Sequence, residues 1–373
     1  MKKPGEKEIA MLAKAGREFA AKELASDREQ NDRYPFGPFW KGTLAVAAEL
    51  GFFNLALAEE SGGFGGAVAP LCALFSQLAR TDASLAAVAL SQAFCHVLLK
   101  EAGEGGLAEG MASGEEQELS GRLFAAAMFA NPLETPCGVK AEKSGDGFLL
   151  FGEAPYLTLA AQAKNALVFA LEGEGVSLFL ADLAARRASL SPDVFSLGLH
   201  ACPAADASFE RAPAKRLGEP GEGGKYFAEA SFRMLLPAAA ILEGVIQGSF
   251  KDALGYARKR EQGGRRILDW SEVRMILSGM AMRARNAETL TAASAEAADA
   301  GSPSWRERAL AAFLQVADDA CKATTDGIQI FGGVGYMKDY PQEKRFRDAK
   351  HLQAIFGLYP LKRLRLLTLT AGL

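Results

Sequence analysis

The sequence predicts an α+β protein in three consecutive blocks. An N-terminal all-α domain covers residues 1–120, a middle β domain 121–222, and a C-terminal helical bundle 223–373. Two observations carry this reading. Apolar residues recur at helical spacing in the outer blocks, whereas the middle block holds short β-prone segments punctuated by Gly, Pro and Asp. The length of 373 residues also leaves room for two or three packed units with their own cores.

In order, Ile9, Leu12, Ala13, Phe19, Ala20 and Leu24 mark a first helix over Glu8–Leu24. A second covers Phe39–Leu50 and stops at Gly51, a C-terminal cap. Glu60 to Gly66 reads as a glycine-rich loop. Helices over Ala67–Ala79 and Ala83–Lys100 follow, the latter capped by Asp82 or Thr81. Phe148–Phe151, Ala166–Ala170 and Val176–Leu180 are strand segments, and Ser144-Gly-Asp-Gly147 is a hairpin turn. Strands this short and closely spaced suggest a compact antiparallel barrel or sandwich of about 100 residues. After Gly224 the helical period returns over Tyr226–Arg260, Trp270–Ala298 and Ser304–Phe331, long enough for a bundle. Two shorter helices, Gln342–Phe356 and Leu361–Thr370, close the chain.

Composition narrows the chemistry. The formal net charge is −3 and no long Lys/Arg run occurs, which argues against a nucleic-acid partner. The five cysteines and three histidines stand apart, giving neither a disulfide framework nor metal-ligand spacing. No apolar run reaches the roughly 18 residues that span a bilayer, and the first residues lack the apolar stretch of a secretory signal. A cytoplasmic protein is the expectation. The 39 glycines are a surplus for a largely helical chain.

The most specific string is Gln329-Ile-Phe-Gly-Gly-Val-Gly-Tyr-Met-Lys-Asp-Tyr-Pro341, followed by Arg347-Asp-Ala-Lys350. It resembles the C-terminal signature of the acyl-CoA dehydrogenase family. Tyr256-Ala-Arg-Lys-Arg260 resembles the family's YAxxR motif, with a matching Gly244 upstream. Ala48–Gly51, Glu60–Gly63 and Leu78–Ser84 are similar to its N-terminal domain. Gly145–Gly152 and Tyr156-Leu-Thr158 are similar to the strand of its middle β-barrel that passes the flavin. The resemblance covers essentially the whole chain.

It implies a tetramer, a dimer of dimers, with FAD held between subunits. Arg260 matches the arginine that meets the FAD pyrophosphate, a role suited to a planar guanidinium. Gln329, Gly332 and Gly333 match the segment that reaches the neighbouring subunit's FAD, glycine allowing close backbone approach. Thr158 matches the threonine that hydrogen-bonds the flavin ring, and Tyr156 stands where the family places an aromatic over it.

The departures gather where the family does chemistry. Its base is a glutamate just after the RDA segment, and here that position is Gly357. A second family position for the base falls on Met234 or Leu235, and the neighbouring arginine on Leu235 or Leu236, all apolar. With Phe356, Met234 and Leu235 would suit an aliphatic ligand or ordinary core. Glu243 points to the opposite helix face and reads as a helix-surface or interface carboxylate. The loop Phe129–Pro136 replaces the family's TEPxAGSD segment, with Glu134 or Thr135 as partial substitutes for its hydroxyls. Gly263-Gly264 removes an aromatic side chain, and Tyr359 replaces a small threonine. The catalytic residue is therefore unassigned.

Three functions follow from the resemblance. The first is an FAD-dependent oxidoreductase acting on the CH–CH group of an acyl thioester such as acyl-CoA, passing electrons to an electron-transfer flavoprotein. The second is a flavin oxidase or monooxygenase on the same fold. The third is a non-catalytic subunit of a heteromeric acyl-CoA dehydrogenase. The assembly is a homotetramer or a heterotetramer with a related chain. Fold analogy does not choose among them.

Overall fold

The computed structural model describes residues 5–26, 28–34, 40–113 and 118–372. The first layer comprises α1 (Glu6–Phe19), a π-helical turn (Ala20–Leu24), α2 (Arg28–Asn31), α3 (Trp40–Glu49), α4 (Val68–Ala79), α5 (Ala83–Glu101), α6 (Gly105–Ser113) and α7 (Leu119–Arg122). Phe39, where the second helix was expected to begin, lies outside the described residues. Gly51 takes φ +75°, the left-handed geometry of a helix stop. Asp82 is the cap of α5: its Oδ1 accepts the Ser84 N–H at 2.8 Å.

Against the expectation from sequence, α5 is long and apolar enough to cross a membrane by length and composition. Every residue from Ala83 to Leu99 is buried inside this protein. The helix has no polar face because it is surrounded by protein on all sides. Its Gln92 amide accepts the Phe124 N–H at 2.9 Å and donates to the Phe124 carbonyl at 3.0 Å. A side chain thus plays the part of a neighbouring strand.

The strands are β1 (Phe124–Ala126), β2 (Val139–Ser144), β3 (Gly147–Thr158), β4 (Asn165–Glu172), β5 (Gly175–Asp182), β6 (Ala188–Leu190) and β7 (Ala204–Leu217). The expected hairpin joins β2 to β3, with Ser144 opposite Gly147 and Gly145 at φ +60°. β3 also pairs with β7, so the order β3-β2-β4-β5-β7 closes on itself. The ring is not wholly antiparallel: β4 runs parallel to β1 and touches β2 in the same sense. Strands β3, β4 and β5 contain the segments read from sequence.

The last layer is α8 (Gly223–Ala257), the hairpin β8 (Glu261–Gln262) and β9 (Arg265–Arg266), then α9 (Ser271–Asp299), α10 (Trp305–Phe331), α11 (Pro341–Leu352) and α12 (Tyr359–Ala371). α8 ends before Arg260 because the β8–β9 hairpin begins there. Its turn has two central residues at φ +65° and +78°, which Gly263 and Gly264 supply without strain. α11 stops at Leu352, short of the expected Phe356, and the chain then turns through Phe356 (φ +58°) and Gly357 (φ +117°). Glu243 is buried rather than superficial, since α8 is enclosed by neighbouring helices along its middle. Desolvation, then the charge of Glu288, raises its carboxyl to about 7.

Candidate active site

The end of α8, the β8–β9 hairpin and the end of α10 enclose a groove of about 1270 Å³. Arg260, Gln329, Gly332 and Gly333 all line it. Tyr256 and Phe331 form one wall, their rings stacked with centroids 4.2 Å apart. Arg260 is exposed and has no ion-pair partner among the described residues; its backbone is fixed instead, donating to Tyr256 and accepting from Ile267. Gly332 ends α10 at φ +62°, and a Cβ built on either Gly332 or Gly333 would meet nothing within 4 Å. The groove therefore pairs a free guanidinium with open glycine backbone, a combination suited to a phosphate-bearing ligand.

Tyr156 and Thr158 do not line this groove. They lie on β3, where Thr158 is buried opposite Ala126 and Ala204 and its Oγ1 has no hydrogen-bond partner. A buried hydroxyl without a partner is costly, so this strand end is chemically incomplete as it stands. Tyr156 has φ +56°, and its N–H donates to Asp206 Oδ1 at 2.8 Å. Its hydroxyl lies 3.0 Å from His351 Nε2, and Phe129 packs on both rings. The Gly198 carbonyl, 2.8 Å from His351 Nδ1, can only accept. The Gly198 N–H also lies 3.3 Å from Nδ1, so Gly198 offers that nitrogen both an acceptor and a donor, while Nε2 pairs with the Tyr156 hydroxyl. Burial lowers the His351 pKa and raises that of Tyr156 to about 12, so this pair is neutral near pH 7. No motif pointed to His351, which reaches Tyr156 only through the packing of α11 on the barrel.

A second niche surrounds Gly357. A Cβ built there would stand 2.4 Å from Glu134 Oε2, so the space for a side chain is already filled by a carboxylate. Glu134 is held by two donors: the Leu358 N–H at 2.7 Å and Asn131 Nδ2 at 3.0 Å. Asn131 also organises the loop, accepting the Leu133 N–H on its side chain and the Glu134 N–H on its carbonyl. This is an Asx-type turn, read in the sequence only as a shortened loop. Lys362 donates to the Gly357 carbonyl, and desolvation lowers its pKa to about 8. Between Glu134, Lys362, Arg365, Leu235 and Phe356 there remains a cavity of only about 40 Å³. Met234 is fully buried and does not line that cavity. Phe356 packs on Phe94, which packs on Phe227, so aromatic rings fill the space behind.

The groove and the niche sit in a chain with extensive known relatives. The profile described as "Acyl-CoA dehydrogenase, N-terminal domain" matches residues 6–108, and "Acyl-CoA dehydrogenase, C-terminal domain" matches 228–359. A Mycobacterium leprae protein named "Probable acyl-CoA dehydrogenase fadE25" is 29% identical over 93% of this chain and 91% of its own length. The "Caffeyl-CoA reductase-Etf complex subunit CarC" of Acetobacterium woodii is 27% identical over 94% of this chain and 93% of its own. The butyryl-CoA dehydrogenase structure from Megasphaera elsdenii superposes with a TM-score of 0.85 at 23% identity, covering 100% and 99% of the two chains. The two profiles, the full-length relatives and the matching fold place this chain in the acyl-CoA dehydrogenase family.

Proposed function

We propose that the protein is an FAD-dependent oxidoreductase acting on the CH–CH group of an acyl thioester, with Glu134 serving in the niche beside Gly357. The observation that carries the flavin part is the groove in which unpaired Arg260 faces the open backbone of Gly332 and Gly333. The orphaned Thr158 hydroxyl supports it at the barrel, where a ligand acceptor or donor would complete the residue. In this reading Arg260 holds the pyrophosphate end, Thr158 and Tyr156 the ring end, and Gln329 with Gly332 and Gly333 reaches the FAD of a neighbouring subunit. FAD, when bound, supplies a two-electron acceptor for the β-hydrogen.

The protein's own part is proton handling and alignment. The α-proton of a thioester is its acidic one, and a carboxylate within reach takes it as general base. Gly357 has no side chain to do so; Glu134 Oε2 occupies the adjoining space and is held there by Asn131 and Leu358. Leu235 and Phe356 give the niche an apolar wall for an acyl chain. The A. woodii relative is named as part of an Etf complex, which supports an electron-transfer flavoprotein as redox partner. Oligomerisation belongs to the same proposal: α12 exposes Leu361, Leu364 and Leu367, and α9 exposes Met275 and Met282. Nothing in the proposal requires a membrane or nucleic acid, and the cytoplasm is its proposed setting.

The small cavity favours a second reading. About 40 Å³ is little more than the volume of one water, so Glu134 also acts as a plug unless its loop moves. A plugged chain would serve as a non-catalytic subunit. Acyl-CoA of graded chain length, added under argon to flavin-loaded protein, decides between them. Bleaching of the flavin absorbance that is lost in Glu134→Gln supports catalysis by this chain. Flavin that stays oxidised at every chain length, with co-purification of a related subunit, supports the second reading. A preparation that takes up no FAD refutes the first reading.

A further inference from the structure

Beside the Arg260 groove, with which it shares Arg28, Lys251 and Asp252, a cavity of about 770 Å³ opens between the N-terminal helices and the C-terminal bundle. Six cationic side chains line it against two carboxylates. Two of the six are neutralised: Arg345 pairs with Asp252 at 2.6 Å and Arg285 with Glu288 at 2.6 Å. The other four, Arg17, Arg28, Arg80 and Lys251, make no ion pair among the described residues. Desolvation, then the charge of Arg345, lowers the Arg28 pKa against the opposing charges of Asp252 and Asp82. Desolvation lowers that of Arg80 as well, opposed by the charges of Glu243 and Glu288 and assisted by Arg17. Crowding like charges in a half-buried cleft is unfavourable unless an anion joins them.

Polar atoms in the same walls lack partners. Gln77 is 8% exposed and Arg345 5%, yet Gln77 Oε1 and Arg345 Nε have no hydrogen-bond partner, and neither does Arg80 Nε. Small residues also line it: Ala20 and Ala21 come from the π-helical turn, a local widening frequent at functional sites. The cavity thus offers unpaired guanidinium donors, a lysine point charge and an amide acceptor behind small side chains. A simple apolar contact would leave all of these unanswered.

We propose that this cavity binds a small phosphate-bearing anion, its phosphate oxygens seated among Arg17, Arg28, Arg80 and Lys251. Guanidinium groups suit phosphate because they present several donors in one plane. The volume admits a pyrophosphate or the diphosphate of a nucleotide. The site is independent of the flavin reading, although Arg28 and Lys251 also border the Arg260 groove. Arg17 and Arg80 line the new cavity alone, so they separate the two sites.

The test is calorimetric titration of the full chain with inorganic pyrophosphate and with ADP at low salt. Three proteins are compared: unaltered, Arg17→Gln/Arg80→Gln, and Arg260→Gln, each checked for folding by circular dichroism. The double variant is expected to bind pyrophosphate at least about ten-fold more weakly, while Arg260→Gln retains it. Tighter binding of ADP assigns the phosphate to a nucleotide; equal affinity assigns it to an inorganic source. Binding that disappears in Arg260→Gln but survives in the double variant overturns the proposal. So does the absence of any pyrophosphate binding by the folded, unaltered protein. If the double variant changes oligomeric state and leaves pyrophosphate affinity intact, the face is a subunit contact and the proposal falls.

Discussion

Gly357→Glu puts the occupancy of the niche to a quantitative test. The new Cβ would be 2.4 Å from Glu134 Oε2, inside any permissible contact, so one carboxylate must leave. Holding a non-glycine residue at φ +117° adds strain of about 1–3 kcal/mol. Two carboxylates forced to about 4 Å repel by roughly 4 kcal/mol in a partly screened site, less if the loop swings into water. The expected loss is about 3–6 kcal/mol, a large part of a typical folding free energy. Urea denaturation measures it as a fall in midpoint at unchanged slope. Glu134→Ala alone loses two partly exposed hydrogen bonds and should cost about 1 kcal/mol. The double variant should regain about 2 kcal/mol or more relative to Gly357→Glu, because only backbone strain remains. If Gly357→Glu lies within about 0.5 kcal/mol of the unaltered protein, the two positions do not compete. Absence of recovery in the double variant would refute the reasoning equally.

Other perturbations address the remaining polar groups. The buried Glu243 carboxyl titrates near 7 in the folded protein and lower when unfolded, so the folded state holds its proton more tightly. Its contribution to stability is full below about pH 4.5 and declines as pH rises to about 7. Glu243→Gln should flatten that decline and be more stable by about 2–3 kcal/mol at pH 8, read from denaturation midpoints across pH; parallel pH curves would exclude this origin. Arg260→Gln should weaken FAD binding by about ten-fold in a fluorescence titration while leaving the thermal midpoint of the apoprotein unchanged. An unchanged FAD affinity would remove Arg260 from the cofactor site. Thr158→Val deletes a hydroxyl that has no partner and should stabilise the apoprotein by a few tenths of a kcal/mol up to about 1 kcal/mol while reducing FAD affinity. A destabilised variant would mean that the hydroxyl is satisfied within the protein.

Local chemistry made most of the architecture legible. Asp82 before an apolar run announced the start of α5, and Gly145 marked the hairpin between β2 and β3. Motif resemblance singled out Arg260, Gln329, Gly332 and Gly333, but that they line one groove comes from the packing of the ends of α8 and α10. Relations between distant segments were not legible. Glu134 and Gly357 are far apart in sequence, and only the packing of the Asn131 turn against the chain after α11 shows that one fills the space of the other. Glu243 looked like a surface carboxylate because helical phase gives a direction but not what lies in that direction. The parallel contact of β4 with β1 was hidden for a similar reason: short strands advertise their existence, not their partners.

The burial of α5 bears on how the chain is made. Its outer surface is covered by pieces that emerge later: Phe94 needs Phe227 and Phe356, and Gln92 needs Phe124. When the first hundred residues leave the ribosome, this helix has no companion for most of its surface. It must wait, collapsed or chaperoned, until α8 and the turn after α11 arrive. A fragment ending near residue 120 should therefore aggregate when expressed alone. The acquisition of a stable fold then becomes a single late event, set by synthesis of the C-terminal bundle.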